Sequence, residues 1–185
     1  MNLFYLDKDL TKCAQYHIDR HVGKMQLEAT QLLTSALWVD KLLGYVPRKL
    51  EKEELGLINE HKRMEPDIDD RKFTRYLPTH LNHPCAIWVR SSLDNYLWTK
   101  EYIIALNEET QWRGNKSHAS CKEALRLPPP TELPARGYMP HALAMPDEYK
   151  TDNLVQSYRN YYINEKADIA SWKKRGAPEW WPCGD

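Results

Sequence analysis

The 185-residue sequence has no excess of charge of either sign, since Lys plus Arg and Asp plus Glu each number 26. With no global field to draw the chain to nucleic acid or to a membrane, any such contact has to come from a local patch. No apolar run approaches the roughly 18 residues of a membrane span. The opening residues show no basic stretch leading into an apolar core of the signal-peptide kind, so the expectation is a cytoplasmic protein with no membrane partner. Cys13, Cys85, Cys121 and Cys183 are scattered without a Cys-x-x-Cys spacing, which argues against a zinc ribbon or redox pair and for free thiols. There is no glycine-rich phosphate loop, which disfavours nucleotide-binding α/β folds, and no nucleophile elbow for a Ser-His-Asp assembly. Repeats are absent, and the only biased stretch is rich in proline. Phenylalanine is scarce, 2 residues against 7 Trp and 11 Tyr. Trp and Tyr add a polar handle to a stacking face, which suits nucleobase contacts as well as core and interface packing.

What is present reads as helix. At this length one domain with a real core is expected rather than two, and residues 1–185 are assigned to a single compact all-α domain. Asn2-Leu-Phe-Tyr-Leu6 is a lone strand or an extended arm, stopping at Asp7-Lys-Asp9, where Asp9 or Thr11 can cap a helix. An unbroken helical pattern then runs to Leu43, closed by Gly44 with Pro47 beyond. Residues 48–75 form a charged, solvated excursion with room for one short helix. Pro84 suits a first helical turn capped by Asn82 or His83, and that pattern continues through Leu93 and Leu97 to Gly114. Ser117–Arg126 reads as a short helix. Between 127 and 150, Pro128, Pro129, Pro130, Pro134, Pro140 and Pro146 force the chain to wrap the surface. Within that loop Gly137–Met145 is apolar enough to pack down as a lid that brings His141 to the site. A last helix is predicted from about Asp152 to Arg175.

On the first long helix Ile18, Val22, Met25, Ala29, Leu32, Leu33 and Ala36 share a sector about 100° wide. Beside it His17, His21, Lys24 and Glu28 recur at helical spacing and project within about 60° of one another. Charges that only confer solubility sit on the far side, as Lys12, Asp19 and Lys41 do, so this stripe is expected to line a cleft. The plainer alternative is a semi-buried flank with Lys24 and Glu28 as an ordinary ion pair. His80, Asn82, His83 and Arg90 gather donors at the start of the Pro84 helix, as a phosphate or carboxylate site requires, unless Asn-His-Pro is only a capping turn. The last helix interleaves Tyr161, Lys166, Lys173, Lys174 and Arg175, with Trp180 and Trp181 beyond Gly176. That pattern suits a nucleic-acid backbone with a stacked base, although a basic last turn also complements the helix dipole.

Three chemistries are compatible with these groups. Lys24, among imidazoles and beside Glu28, can act as a base or an imine-forming nucleophile while the carboxylate shuttles protons, with no cofactor. His17, His21, His80 and His83 can instead hold a divalent metal for nucleotide or phosphoester hydrolysis. That reading lacks both the zinc-protease glutamate and the His-Asp dipeptide of helical phosphohydrolases. The third is a non-catalytic module that binds DNA or a host protein.

Met1-Asn-Leu-Phe-Tyr-Leu-Asp7, Asp19-Arg-His-Val-Gly-Lys-Met25, Asn82-His-Pro84 and Tyr149-Lys-Thr-Asp152 together resemble a family of short proteins common in tailed phages, to which no established activity attaches. The match covers nearly the whole chain and implies the cytoplasm of an infected host cell. More distantly, Ala14-Gln-Tyr-His17, the segment from His83 to Leu97, Arg113-Gly114 and Trp172-Lys-Lys-Arg175 are similar to the pyrimidine-dimer DNA glycosylases of the phage endonuclease V type. That resemblance implies a helical DNA-repair enzyme that flips a nucleotide, attacks the sugar with an amine and cleaves the strand by elimination from the imine. Such enzymes use the α-amine of an N-terminal threonine, whereas here Asn2 follows Met1, a poor context for methionine removal; the neutral net charge is a second departure. The stripe itself makes Lys24 or the N-terminal amine the nucleophile and Glu28 or Asp19 the proton shuttle, with His17 and His21 positioning the sugar phosphate. His80, Asn82, His83, Arg90, His141, Lys173, Lys174 and Arg175 are the expected phosphate and substrate contacts. The expected partner is nucleic acid or a nucleotide, and the oligomeric state is not legible.

Overall fold

The first helix starts where the sequence supplies an acceptor: Asp9 takes the N–H of Lys12 at 2.9 Å, and α1 runs Leu10–Tyr16. The structure, a computed structural model, describes residues 2–64 and 74–182. The single long helix expected from here to Leu43 is broken. His17 and Ile18 adopt extended backbone, and α2 restarts as Asp19–Leu43. No proline or glycine marks the break, which is held by partners far along the chain. The Tyr162 hydroxyl accepts the N–H of Ile18 at 3.1 Å, and the Ser171 carbonyl accepts that of Asp19 at 2.8 Å. These bonds satisfy donors that would otherwise be orphaned at the start of α2. Gly44 closes α2 at φ +74°, a conformation that favours glycine.

The short helix of the charged excursion is α3, Lys52–Arg63, started by a reciprocal capping box between Glu51 and Glu54. Residues 65–73 of that excursion lie outside the described residues. The helix expected from Pro84 to Gly114 is also two: α4, Pro84–Val89, capped by His83, and α5, Leu93–Trp112, capped by Ser92. Next comes α6, Ala119–Arg126. The proline-rich segment wraps the surface with one 3-10 turn, Asp147–Tyr149. The last helix, α7, is Leu154–Lys166 and gives way to a 3-10 turn at Ala167–Ile169, well short of the expected Arg175. The chain leaves the helix because it docks on the α1–α2 break, where the Trp172 indole N–H reaches the Tyr16 carbonyl at 3.0 Å. Seven α-helices and no strand among the described residues make an all-α fold.

The helices α2 and α5 pack as the central pair. Residues 2–6 form an extended arm rather than a strand, and its Leu3, Phe4 and Leu6 are buried with Ile18 at the break, Met25 of α2, Tyr102 and Ile103 of α5, and Tyr158 and Tyr162 of α7. Full burial of one such aliphatic or aromatic side chain is worth about 1.5–3 kcal/mol, so the arm is firmly seated beside α2. A satellite cluster of Val39, Val46, Leu50, Ile58 and Leu81 sits under α3. Cys13, Cys85 and Cys121 are free and buried, while Cys183 lies outside the described residues. No described helix is long and apolar enough to cross a membrane.

Candidate functional site

The break after Tyr16 reorganises the stripe expected on one continuous helix. His21, Lys24 and Glu28 keep the register of α2 and line a pocket of ≈ 240 Å³ with Asn2, Phe4, His83, Tyr161 and Lys166. His17, on the other side of the break, is sealed in the core. Its Nδ1 donates to the Cys13 carbonyl at 2.7 Å and its Nε2 accepts the Tyr102 hydroxyl at 2.8 Å. Burial pulls its pKa down to about 4. With both nitrogens engaged, His17 is a neutral core group and offers nothing to a sugar phosphate or a metal.

Glu28 is the centre of the pocket. One carboxylate oxygen accepts the backbone N–H of Asn2 at 3.1 Å, and the other lies 3.4 Å from Lys24 Nζ. The Glu28 side chain is 15% exposed and that of Lys24 is 55% exposed, so the amine keeps its freedom to move. An ion pair this open contributes about 0.5 kcal/mol or less, and the fold does not depend on it. The N-terminal amine, the other nucleophile expected from the sequence, belongs to Met1 and lies outside the described residues.

His21 stacks on Phe4 with ring centroids 5.1 Å apart, and its Nδ1 is 2.9 Å from the Tyr162 hydroxyl. That buried hydroxyl already accepts the Ile18 N–H, so it donates to Nδ1 and leaves the imidazole proton on Nε2. Burial above all, then the neighbouring His17, Lys166, Lys24 and Arg20, lowers the His21 pKa to about 3. His83 caps α4 by accepting the Cys85 N–H on Nδ1 at 3.1 Å, which places its proton on Nε2 as well. Burial lowers its pKa, with His80 adding to the effect. Lys166 lies over the Tyr161 ring, 5.1 Å from its centroid. The pocket therefore presents two ammonium groups, one carboxylate and two neutral imidazoles.

The remaining expected contacts lie elsewhere. Since α4 has only six residues and its first N–H goes to His83, Asn-His-Pro is a capping turn and not an anion site. The Asn82 side chain grips the backbone N–H and C=O of Leu50 at 2.6 and 2.9 Å. Arg90 is buried and donates to the carbonyls of Val46, Leu81 and Arg48. Burial lowers its pKa to about 10, so it stays charged within a cage of backbone oxygens. His80 is exposed at φ +50° and bonds the Thr79 hydroxyl at 2.7 Å. His141 is buried against Trp88 and Trp98, with Nε2 donating to the Leu3 carbonyl at 3.1 Å. Burial brings its pKa to about 4. The lid segment does pack down, bringing Ala144 rather than His141 to the pocket wall.

Asp19, Lys173 and Lys174 line a second, larger depression of ≈ 560 Å³ on the adjoining flank of α2, with Arg20, Gly23, Arg113, Lys116 and His118. Asp19 accepts from Arg113 at 2.8 Å, from the Ser171 hydroxyl at 3.0 Å and from the Lys173 N–H at 3.0 Å. Partial burial pushes its carboxyl up, but those hydrogen bonds outweigh it and hold the group below the usual carboxylate range. A carboxylate so fully bonded is a clamp for the 171–173 segment and not a proton shuttle. Arg175 pairs with Glu109 at 2.7 Å over the Trp112 ring, its guanidinium carbon 3.8 Å from the centroid.

Sequence reasoning missed Asn2 as a pocket residue, and it missed Arg20, Lys116 and His118 in the cleft. No periodic signal marks them, because arm, loop and helix meet there only in three dimensions. Among the described residues no three His, Cys, Asp or Glu side chains gather as a metal site, and of the four histidines considered as ligands only His21 and His83 share a pocket. Comparison of the chain with protein-family models, with curated proteins and with solved structures gives no match.

Proposed function

We propose that the pocket beside α2 is an active site for imine chemistry on a nucleotide or nucleic acid, of the DNA glycosylase and abasic-site lyase kind. The observation that supports this reading is the half-sealed Glu28 carboxylate, 3.4 Å from the Lys24 amine, in a pocket walled by His21 and His83. Lys24 gives its proton to Glu28, and the amine then attacks C1′ of the sugar. The bond from C1′ to the base breaks, its electron pair leaves with the base, and Glu28 returns the proton to that leaving group; the C1′–O4′ bond then opens, O4′ keeps its electron pair and takes one proton from the attached nitrogen, and the protonated imine forms. Glu28, again a carboxylate, next takes a proton from C2′, and elimination expels the 3′ phosphate. The two neutral imidazoles donate hydrogen bonds to sugar or phosphate oxygens, and Lys166 balances the phosphate charge. A pocket of ≈ 240 Å³ suits a single sugar phosphate turned out of a strand.

Borohydride trapping on a labelled oligonucleotide with an abasic site tests this. The wild-type protein is expected to form a covalent adduct whose peptide map places the linkage on Lys24. Glu28→Gln is expected to lower adduct formation about 10²-fold, a typical contribution of acid–base assistance. A folded wild-type protein that gives no adduct defeats the reading, and an adduct on another amine removes Lys24 from the role.

A further inference from the structure

The larger cleft takes no part in that chemistry, and its charge needs an explanation. Five cations, Arg20, Arg113, Lys116, Lys173 and Lys174, face it with one carboxylate, Asp19. The chain as a whole is balanced at 26 cations and 26 anions, so this is a local excess. Asp19 does not cancel it, being saturated by Arg113, Ser171 and the Lys173 N–H. Arg113 is equally engaged, bonding Asp19, Glu109 and the carbonyls of Gln15 and His17. That leaves the side chains of Arg20, Lys116, Lys173 and Lys174, all exposed and without an ion-pair partner among the described residues.

These four cations come from three separate segments and are brought together by deliberate anchoring. Ser171 and the Lys173 N–H bind Asp19, Trp172 binds the Tyr16 carbonyl, and Arg175 binds Glu109, so the turn carrying both lysines is pinned against α2. Gly114, at φ +88°, lets Lys174 lie across its backbone: a Cβ there would come within 2.8 Å of Lys174 Nζ. His118 accepts the Ser120 N–H on Nδ1, which leaves its Nε2–H as a neutral donor at the same cleft. Cations held around one hollow repel one another, and a polyanion relieves that repulsion. A hollow of ≈ 560 Å³ is larger than one phosphate fills.

We propose that this cleft is a docking groove for the phosphodiester backbone of a nucleic-acid strand, which takes several successive phosphates. The inference stands without the imine chemistry. It also places a bound strand beside the proposed pocket, since Arg20 and Gly23 lie within about one helical turn of Lys24, roughly 5.4 Å along the axis.

Fluorescence anisotropy with a labelled single strand of about 12 nucleotides, titrated against salt, is the test. Four contacts predict a log–log slope near −2.8, about a 50-fold loss of affinity between about 50 and 200 mM salt. Lys173→Ala with Lys174→Ala is expected to halve that slope to about −1.4. Gly23→Glu is the second variant. A Cβ at Gly23 meets nothing within 4 Å, so the change puts a carboxylate into the cleft without strain, and a helix interior prefers glutamate to glycine. It is expected to weaken binding at least about tenfold while the circular dichroism spectrum and thermal midpoint hold, given that each phosphate contact is electrostatic. Wild-type binding by both variants overturns the proposal. So does displacement of the strand by equal phosphate concentrations of pyrophosphate, which marks a free-phosphate site, or by polyglutamate, which marks charge without phosphate recognition. Trapping is scored separately: a strand bound with no adduct keeps this inference and defeats the preceding one, and an adduct with no cleft binding does the reverse.

Discussion

Lys24 and Arg90 are both cations that the sequence marks as candidate functional groups, on two different helices, and their surroundings differ in kind. Arg90, at the C-terminal end of α4, is buried, and its guanidinium is held by the carbonyls of Val46, Leu81 and Arg48. Lys24 is half exposed, meets one carboxylate at 3.4 Å and faces a pocket. The histidines divide in the same way. His17 has partners on both ring nitrogens in the core, while His21 and His83 are each bonded through Nδ1 at the pocket wall. Residue type does not separate scaffold from site here. What separates them is whether the fold has already taken up the group's hydrogen-bonding capacity.

The largest effect that would break this contrast is at Arg90. Arg90→Ala strands two buried carbonyls, those of Val46 and Leu81, and a partly buried one at Arg48, and is expected to cost about 3–5 kcal/mol of unfolding free energy, read from urea denaturation. A loss below about 1 kcal/mol would show that the cage is not structural.

Acid lability comes next. His17 and His141 are held near a pKa of about 4 by burial, against about 6.5 for an unfolded imidazole. Below about pH 6.5 the unfolded chain therefore binds protons that the folded protein refuses, so stability is full above that pH and falls as the pH approaches 4. His17 alone accounts for a loss on the order of 3 kcal/mol across this window. Denaturation midpoints at about pH 7.5 and about pH 4.5 measure it, and a flat profile contradicts neutral, core-bound imidazoles.

The smallest expected effect sharpens the comparison from the other side. Lys24→Gln is expected to change stability by about 1 kcal/mol or less because its amine is half exposed, and Glu28→Gln to stay near that level because the amide oxygen can still accept the Asn2 N–H. A Glu28→Gln variant as unstable as Arg90→Ala would place the pocket with the scaffold.

Helical periodicity placed the elements well and their interruptions poorly. The caps at Asp9, His83 and Gly44 are local chemistry and were legible. The breaks at His17–Ile18 and after Lys166 were not, because their donors and acceptors come from Tyr162, Ser171 and Tyr16, residues remote in the chain. The same limit governs the site. His21, Lys24 and Glu28 share a face within one helix, so their meeting was readable. His17 was lost with the register at the break. Arg90 was misplaced because a pattern along one helix tells which side a residue occupies and not what covers it.

The sequence by itself determined that this chain is helical, where several helices are capped, and that an ionisable stripe runs beside the buried face of α2, because these depend on neighbours within about one or two helical turns. Only the tertiary structure decided which of those ionisable groups remain available. Tyr102 of α5 and the Cys13 carbonyl saturate His17, Arg113 and the segment beyond α7 saturate Asp19, and that same segment brings Lys173 and Lys174 up to Arg20, while Glu28 lies beside an exposed amine. Hydrogen-bond saturation is a property of contacts between distant segments, and no one-dimensional pattern carries it.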